Sequence, residues 1–165
     1  MAFTPIPVAG SRLRGSVYLA NISERTMLEA FNTAAQNVGP SNTTLQNVTD
    51  VSLQVVAFAT YRFTLDLQYT SNGTADIKIG FTVPAGATMD YLTMGYNAAA
   101  VVTYGVGVQS TVTDFGGNAT SAFLSGIMGI SSTAGTLQLQ AAQNTSTAVT
   151  TNVEPGTTLT LIRSA

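Results

Sequence analysis

From Val51 to Tyr69 every odd-numbered residue is apolar: Val51, Leu53, Val55, Ala57, Ala59, Tyr61, Phe63, Leu65, Leu67 and Tyr69. A period of two is the signature of β-strand, in which successive side chains point to opposite faces, so one face of this stretch packs inward. The even positions, among them Ser52, Gln54, Thr60, Arg62, Thr64, Asp66 and Gln68, are mostly polar and face away. Val56 and Phe58 break the polar row, and a bend or a change of strand near Ala57 accounts for them.

A second alternation follows, with Ile77, Ile79, Phe81 and Val83 apolar and Asp76, Lys78, Gly80 and Thr82 between them, closed by Pro84 and Gly86. The linking Ser71-Asn72-Gly73-Thr74 resembles a hairpin turn. A two-residue Asn-Gly loop would set inward positions against outward ones, so direct pairing requires a three-residue loop with Gly73 or Thr74 left-handed. That loop places Tyr69 opposite Ile77 and Leu67 opposite Ile79. Further strands are expected over 102–108, 123–130, 135–141, 147–153 and 158–163, separated by the turn formers Asp114, Gly116, Gly117, Asn118, Pro155 and Gly156. About eight short strands without intervening helices define an all-β fold, an antiparallel β-sandwich of the jelly-roll kind.

The N-terminal third admits two readings. Ser23 could cap a helix carrying Met27, Leu28, Phe31, Ala34, Ala35 and Val38 on one face, with Gly39 and Pro40 ending it. Residues 24–38 are therefore helix or strand. The preceding stretch, with Pro5, Pro7, Gly10 and Gly15, is expected to be extended, which divides the chain into an arm over 1–22 and a single sandwich domain over 23–165.

Composition narrows function by subtraction. The 165 residues include no His, Cys or Trp, and only five Arg, one Lys and eight acids are charged. General acid–base chemistry near neutral pH, thiol nucleophiles and zinc sites draw mainly on residues this chain lacks, so no catalytic residue, metal site or cofactor is expected. A net charge of −2 with scattered basic residues argues against nucleic acid. No apolar run reaches the roughly 20 residues of a membrane-spanning helix, and the N-terminus lacks a signal-peptide pattern, so no membrane partner is expected.

The remaining motifs have ordinary explanations. Asp114-Phe115-Gly116 matches a kinase magnesium-binding triplet, but no glycine-rich loop or catalytic loop accompanies it. Gly105 and Gly107 lie in a strand-like alternation and read as close backbone packing rather than a dinucleotide loop. Asp66 and Asp76 are too far apart in register for a glycosidase pair. Asn-x-Ser/Thr triplets begin at Asn21, Asn42, Asn47, Asn72, Asn118 and Asn144, and the abundance of these residue types accounts for them. Arg12 and Arg14 are the candidate anchoring residues, since a guanidinium offers a planar fork of donors to an acidic partner surface. Tyr91, Tyr96 and Tyr104 are the residues that would stack on sugars were the chain a carbohydrate-binding module.

Four stretches carry a family resemblance: Asn47–Asp50 leading through Ala57–Tyr61, Asp76–Ala87, Gly135–Asn144 and Pro155–Leu159. In this order they resemble a β-sandwich domain of tailed-bacteriophage virion proteins, found in capsid decoration proteins and in minor tail or fibre proteins. The resemblance implies a non-enzymatic virion component made in the host cytoplasm. It further implies a homotrimer attached by its N-terminal segment to the major capsid protein, with the capsid surface favoured over the tail by the chain's brevity. It also implies that the segment ending at Val38 is the first strand rather than a helix. The remaining alternatives are a minor tail or fibre protein and a module that recognises host-surface carbohydrate.

Overall fold

A computed structural model of the chain describes residues 27–96, 102–108, 113–115 and 121–164, and every structural statement below concerns these residues. They form twelve strands: β1 Met27–Phe31, β2 Gln36–Asn37, β3 Gln46–Val55, β4 Thr60–Thr70, β5 Ile77–Thr82, β6 Thr88–Tyr96, β7 Val102–Val108, β8 Thr113–Phe115, β9 Ser121–Gly129, β10 Gly135–Gln143, β11 Asn152–Val153 and β12 Thr158–Arg163. All pairings are antiparallel. One sheet runs β1-β12-β4-β9-β6-β7, with β11 and β2 continuing beside the far end of β4, and the other runs β3-β10-β5-β8.

Taken by themselves, the eight strands β3 to β10 alternate between the sheets in jelly-roll order. The second, seventh, fourth and fifth of them lie in one layer, and the first, eighth, third and sixth lie in the other. The antiparallel jelly-roll sandwich expected from the sequence is the fold observed. β12 and β1 widen the first layer along the free edge of β4, covering backbone groups that would otherwise stand unpaired.

The long alternation is two strands in two different layers. β3 ends at Val55, and β4 begins at Thr60 after a turn in which Phe58 adopts a left-handed φ of 57°. Both strands keep odd residues inward because each layer faces the same core. Val51, Leu53, Val55, Ala59, Tyr61, Phe63, Leu65, Leu67 and Tyr69 are all buried. At the centre Phe63 from β4 and Tyr91 from β6 meet Phe81 from the opposite sheet, with ring centroids 5.9–6.0 Å apart in edge-to-face contact. This trio ties the two layers together.

β4 and β5 do not pair, so the three-residue hairpin loop that direct pairing would require does not form. β4 lies between β12 and β9, and β5 lies between β10 and β8. The connection crosses between layers by a turn in which the Asn72 carboxamide oxygen accepts from the Thr74 and Ala75 amides, and Asp76, not Gly73 or Thr74, takes the positive φ. Residues 24–38 resolve for their described part as strand: β1 pairs with β12 along its whole length, and β2 pairs with β11. The expected strand over 147–153 contracts to Asn152–Val153, and β6 is an additional strand that the sequence reading did not place. The expected 1–22 arm, with Arg12 and Arg14, lies outside the described residues.

Polar side chains repair the backbone where the ladders break. Between β3 and β10 the register skips, Gln138 opposing Ser52 and Gln140 opposing Asn47, and Asp50 in the bulge has a φ of 65°. The Gln138 amide donates to the carbonyls of Val48 and Val51 at 2.9 and 3.1 Å, replacing ladder partners lost there. Gln36 does the same from the side, donating to the Asn47 carbonyl while its own oxygen accepts from the Thr49 amide. No buried side-chain nitrogen or oxygen among the described residues lacks a partner.

Candidate functional site

The two outer faces of the sandwich differ. On the four-stranded sheet many outward side chains are uncharged amides and hydroxyls bonded to one another, such as Gln54 to Thr136 at 2.8 Å and Gln140 to Asn47 at 2.9 Å, with Lys78 and Asp50 the charged exceptions among the described side chains. That face is self-satisfied.

The outer face of the larger sheet has another character, and its residues assemble only through register. One row across the strands reads Met27, Ile162, Arg62, Ile127 and Asp90. The next reads Glu29, Thr160, Thr64, Ser125 and Leu92, and the third Phe31, Thr158, Asp66, Phe123 and Met94. Met27, Phe31, Leu92, Met94, Ile127 and Ile162 are between 39 and 64 % exposed. An isolated exposed apolar residue needs no explanation, whereas six on one face of one sheet mark a surface suited to contact. The small side chains of the middle row leave a shallow groove of about 310 Å³ between β12 and β9, bordered by Arg62, Ile127 and Ile162. Charge on the face is sparse. Among the described residues neither the Arg62 guanidinium nor the Asp66 carboxylate has a hydrogen-bond or ion-pair partner.

The residues singled out from sequence do not converge on a reactive centre. Asp66 stands on the outer face of β4, while Asp76 lies in the turn entering β5 in the other layer. Asp114 and Phe115 are strand residues of β8, with Phe115 buried against Tyr69. Gly105 and Gly107 pair with Thr93 and Tyr91 inside the β6–β7 ladder, as close strand packing requires. Tyr91 is a core residue, which removes it from any sugar-stacking platform. The side chains of Tyr96 and Tyr104 lie outside the described set. Asn42 and Asn72 spend their carboxamides on local turns, and Asn21 and Asn118 are outside the described residues. Among the described residues no cluster of three or more acids is placed to hold a metal ion. None of their helices is long and apolar enough to cross a membrane.

Sequence reasoning missed the apolar face because its six exposed apolar members come from four strands, β1, β12, β9 and β6, and none of those strands is apolar throughout. The recoverable signal was local. Leu92 and Met94 interrupt the outward row of β6, as Ile127 does that of β9.

No protein-family model and no curated protein matches the sequence. Among solved structures, the chain is similar to one in the tripod (BppUct-A-L) from the baseplate of bacteriophage Tuc2009, at 11% identity over 99% of this chain and 73% of that one, with a TM-score of 0.38. It is also similar to VP2 in a subviral particle of infectious bursal disease virus, at 9% identity over 84% of this chain and 40% of that one, TM-score 0.23. The Gx strain of the same virus gives 5% identity over 84% and 36%, also at 0.23. Likenesses at these scores carry no argument about what the chain does.

Proposed function

We propose that this protein is a non-enzymatic structural component of a tailed-bacteriophage virion, bound at the capsid surface as a decoration protein. The observation that carries the reading is the sheet face described above: a jelly roll with very few charges that leaves six large apolar side chains in the open is built for contact rather than for free solution. Jelly rolls serve as both capsid and lectin domains, so the fold alone does not choose between them. The absence of His and Cys from the sequence weighs against catalysis, and the scarcity of aromatics, with Tyr91 committed to the core, weighs against a sugar platform. The sequence resemblance to phage virion domains supplies the preference for a particle, with the segment over 1–22, including Arg12 and Arg14, as its anchor on the major capsid protein and a threefold cluster as its arrangement.

Co-sedimentation of the purified chain with emptied capsids tests the reading. Saturable binding that is lost on deleting residues 1–19, with the far-UV spectrum of the sandwich unchanged, is the expected result. Binding to isolated tails instead moves the protein to the tail. Indifference to both, together with specific capture on a glycan array, replaces the proposal with a carbohydrate-binding module.

A further inference from the structure

We infer that the outer face of the β1-β12-β4-β9-β6-β7 sheet is a contact surface for a second copy of this chain, related by a two-fold axis that runs along the middle row through Thr64. The virion reading draws on the same face, but the pairing is argued from the register of that face alone and is tested on the isolated chain, apart from any particle.

A two-fold axis lying in the interface and crossing the strands keeps each strand over itself and reverses its direction. Rows one and three then exchange. Arg62 on β4 comes over Asp66 of the second copy, and Asp66 over Arg62 of the second copy, because both sit two residues from Thr64 on the same face of the same strand. The same operation sets Ile127 over Phe123 of the second copy on β9 and Met27 over Phe31 of the second copy on β1, and Asp90 over Met94 of the second copy on β6, while Leu92 and, at the outer strand β1, Glu29 meet their own counterparts. An isologous contact needs such a self-complementary pattern, in which residue i meets j and j meets i. The two charges of the strand that have no partner within the described chain are the two this operation brings together.

The sheets' own twist rotates face-to-face layers by about 30°. Pairs near the centre of rotation therefore keep their register, and β4 and β9 are the central strands of the six. Five strands spaced about 4.8 Å apart, with three outward rows over roughly 14 Å of strand, cover about 330 Å² in plan, below the roughly 800 Å² per partner of a standard stable interface, so the dimer is expected to be reversible and concentration-dependent. Nucleic acid and acidic membranes offer no cation to set opposite Asp66, whereas a second copy supplies one in Arg62.

The test is a charge exchange read by sedimentation equilibrium and light scattering over a concentration series. Wild type is expected as a dimer of about 34 kDa, twice the 17.1 kDa chain, or as a larger even-numbered assembly if a threefold cluster is superimposed. Arg62→Asp and Asp66→Arg each place two like-charge contacts in the dimer and should raise its dissociation constant roughly ten- to a hundredfold. The double variant carrying both substitutions restores both pairs with reversed polarity and should recover most of the wild-type association. Both residues are solvent-facing, so the folded state, followed by circular dichroism, should be unchanged throughout. A monomeric wild type at every concentration overturns the inference. So does an assembly whose mass ignores the single substitutions, or a double variant no better than the singles.

Discussion

Phe63 and Phe58 stand five positions apart in the same alternation, and truncating each to alanine separates the inward from the outward face by energy. Phe63 is 1 % exposed and makes edge-to-face contacts with Phe81 and Tyr91, whereas Phe58 is 78 % exposed at the tip of the β3–β4 turn. Removing the Phe63 ring forfeits about 1.5–3 kcal/mol of burial. A residual cavity of about 80 Å³ adds about 2 kcal/mol at roughly 24 cal/mol per Å³. The lost ring contacts bring the total to about 4 kcal/mol, a large share of the roughly 5–15 kcal/mol that holds a domain together. For a chain of this length that corresponds to a fall in Tm of about 8–16 °C. Phe58→Ala should change stability by less than about 0.5 kcal/mol. Urea unfolding followed by far-UV circular dichroism measures both. A Phe63→Ala cost below about 1 kcal/mol, or equal costs at the two sites, would refute the two-layer core described here.

Other expectations rest on single contacts. A methyl group at Gly126 would collide with the Asp90 carbonyl and lie 2.6 Å from Tyr91 Cβ, so Gly126→Ala should destabilise by about 1–3 kcal/mol or more, read as a lower urea midpoint. Gln138→Ala withdraws the amide from the Val48 and Val51 carbonyls and should cost about 1–3 kcal/mol, with faster hydrogen exchange confined to the β3–β10 bulge. Phe58→Asn puts a residue tolerant of left-handed backbone where an exposed phenylalanine holds a φ of 57°, and should raise the midpoint by up to about 1 kcal/mol in stability. A lowered midpoint would show that the ring makes a contact worth more than the strain.

The sequence made legible which side chains point inward, and it left open which strands are neighbours. Odd residues of 51–69 other than Ala57 in the turn are buried as the alternation requires, yet nothing in a period of two records that β3 and β4 belong to opposite layers facing one core. The same blindness left open whether β4 and β5 pair as a hairpin. β6 escaped notice because Leu92 and Met94 face outward while Met89 and Tyr91 face inward, so both faces are apolar and the alternation vanishes. In β1 the spacing of Met27, Leu28 and Phe31 fits a helix as well as a strand. Pairing with β12, a segment from the other end of the sequence, decides for strand. The candidate surface was illegible for a related reason: it exists only after five strands have been set in register.

The ladder between β4 and β12 joins Leu65 to Leu159, and that between β3 and β10 joins Leu53 to Leu137. Pairings so distant along the chain are slow to form, because the closure entropy of the intervening loop is lost before any contact compensates it. During synthesis β3 and β4 leave the ribosome with neither of these partners yet made. The central strand of the larger sheet cannot be flanked on both sides until residue 163 has been added. A translation product interrupted before β12 leaves β4 open on one side and β1 without its partner, so the two outermost strands of the three-row surface fall into place only when the last strand is made.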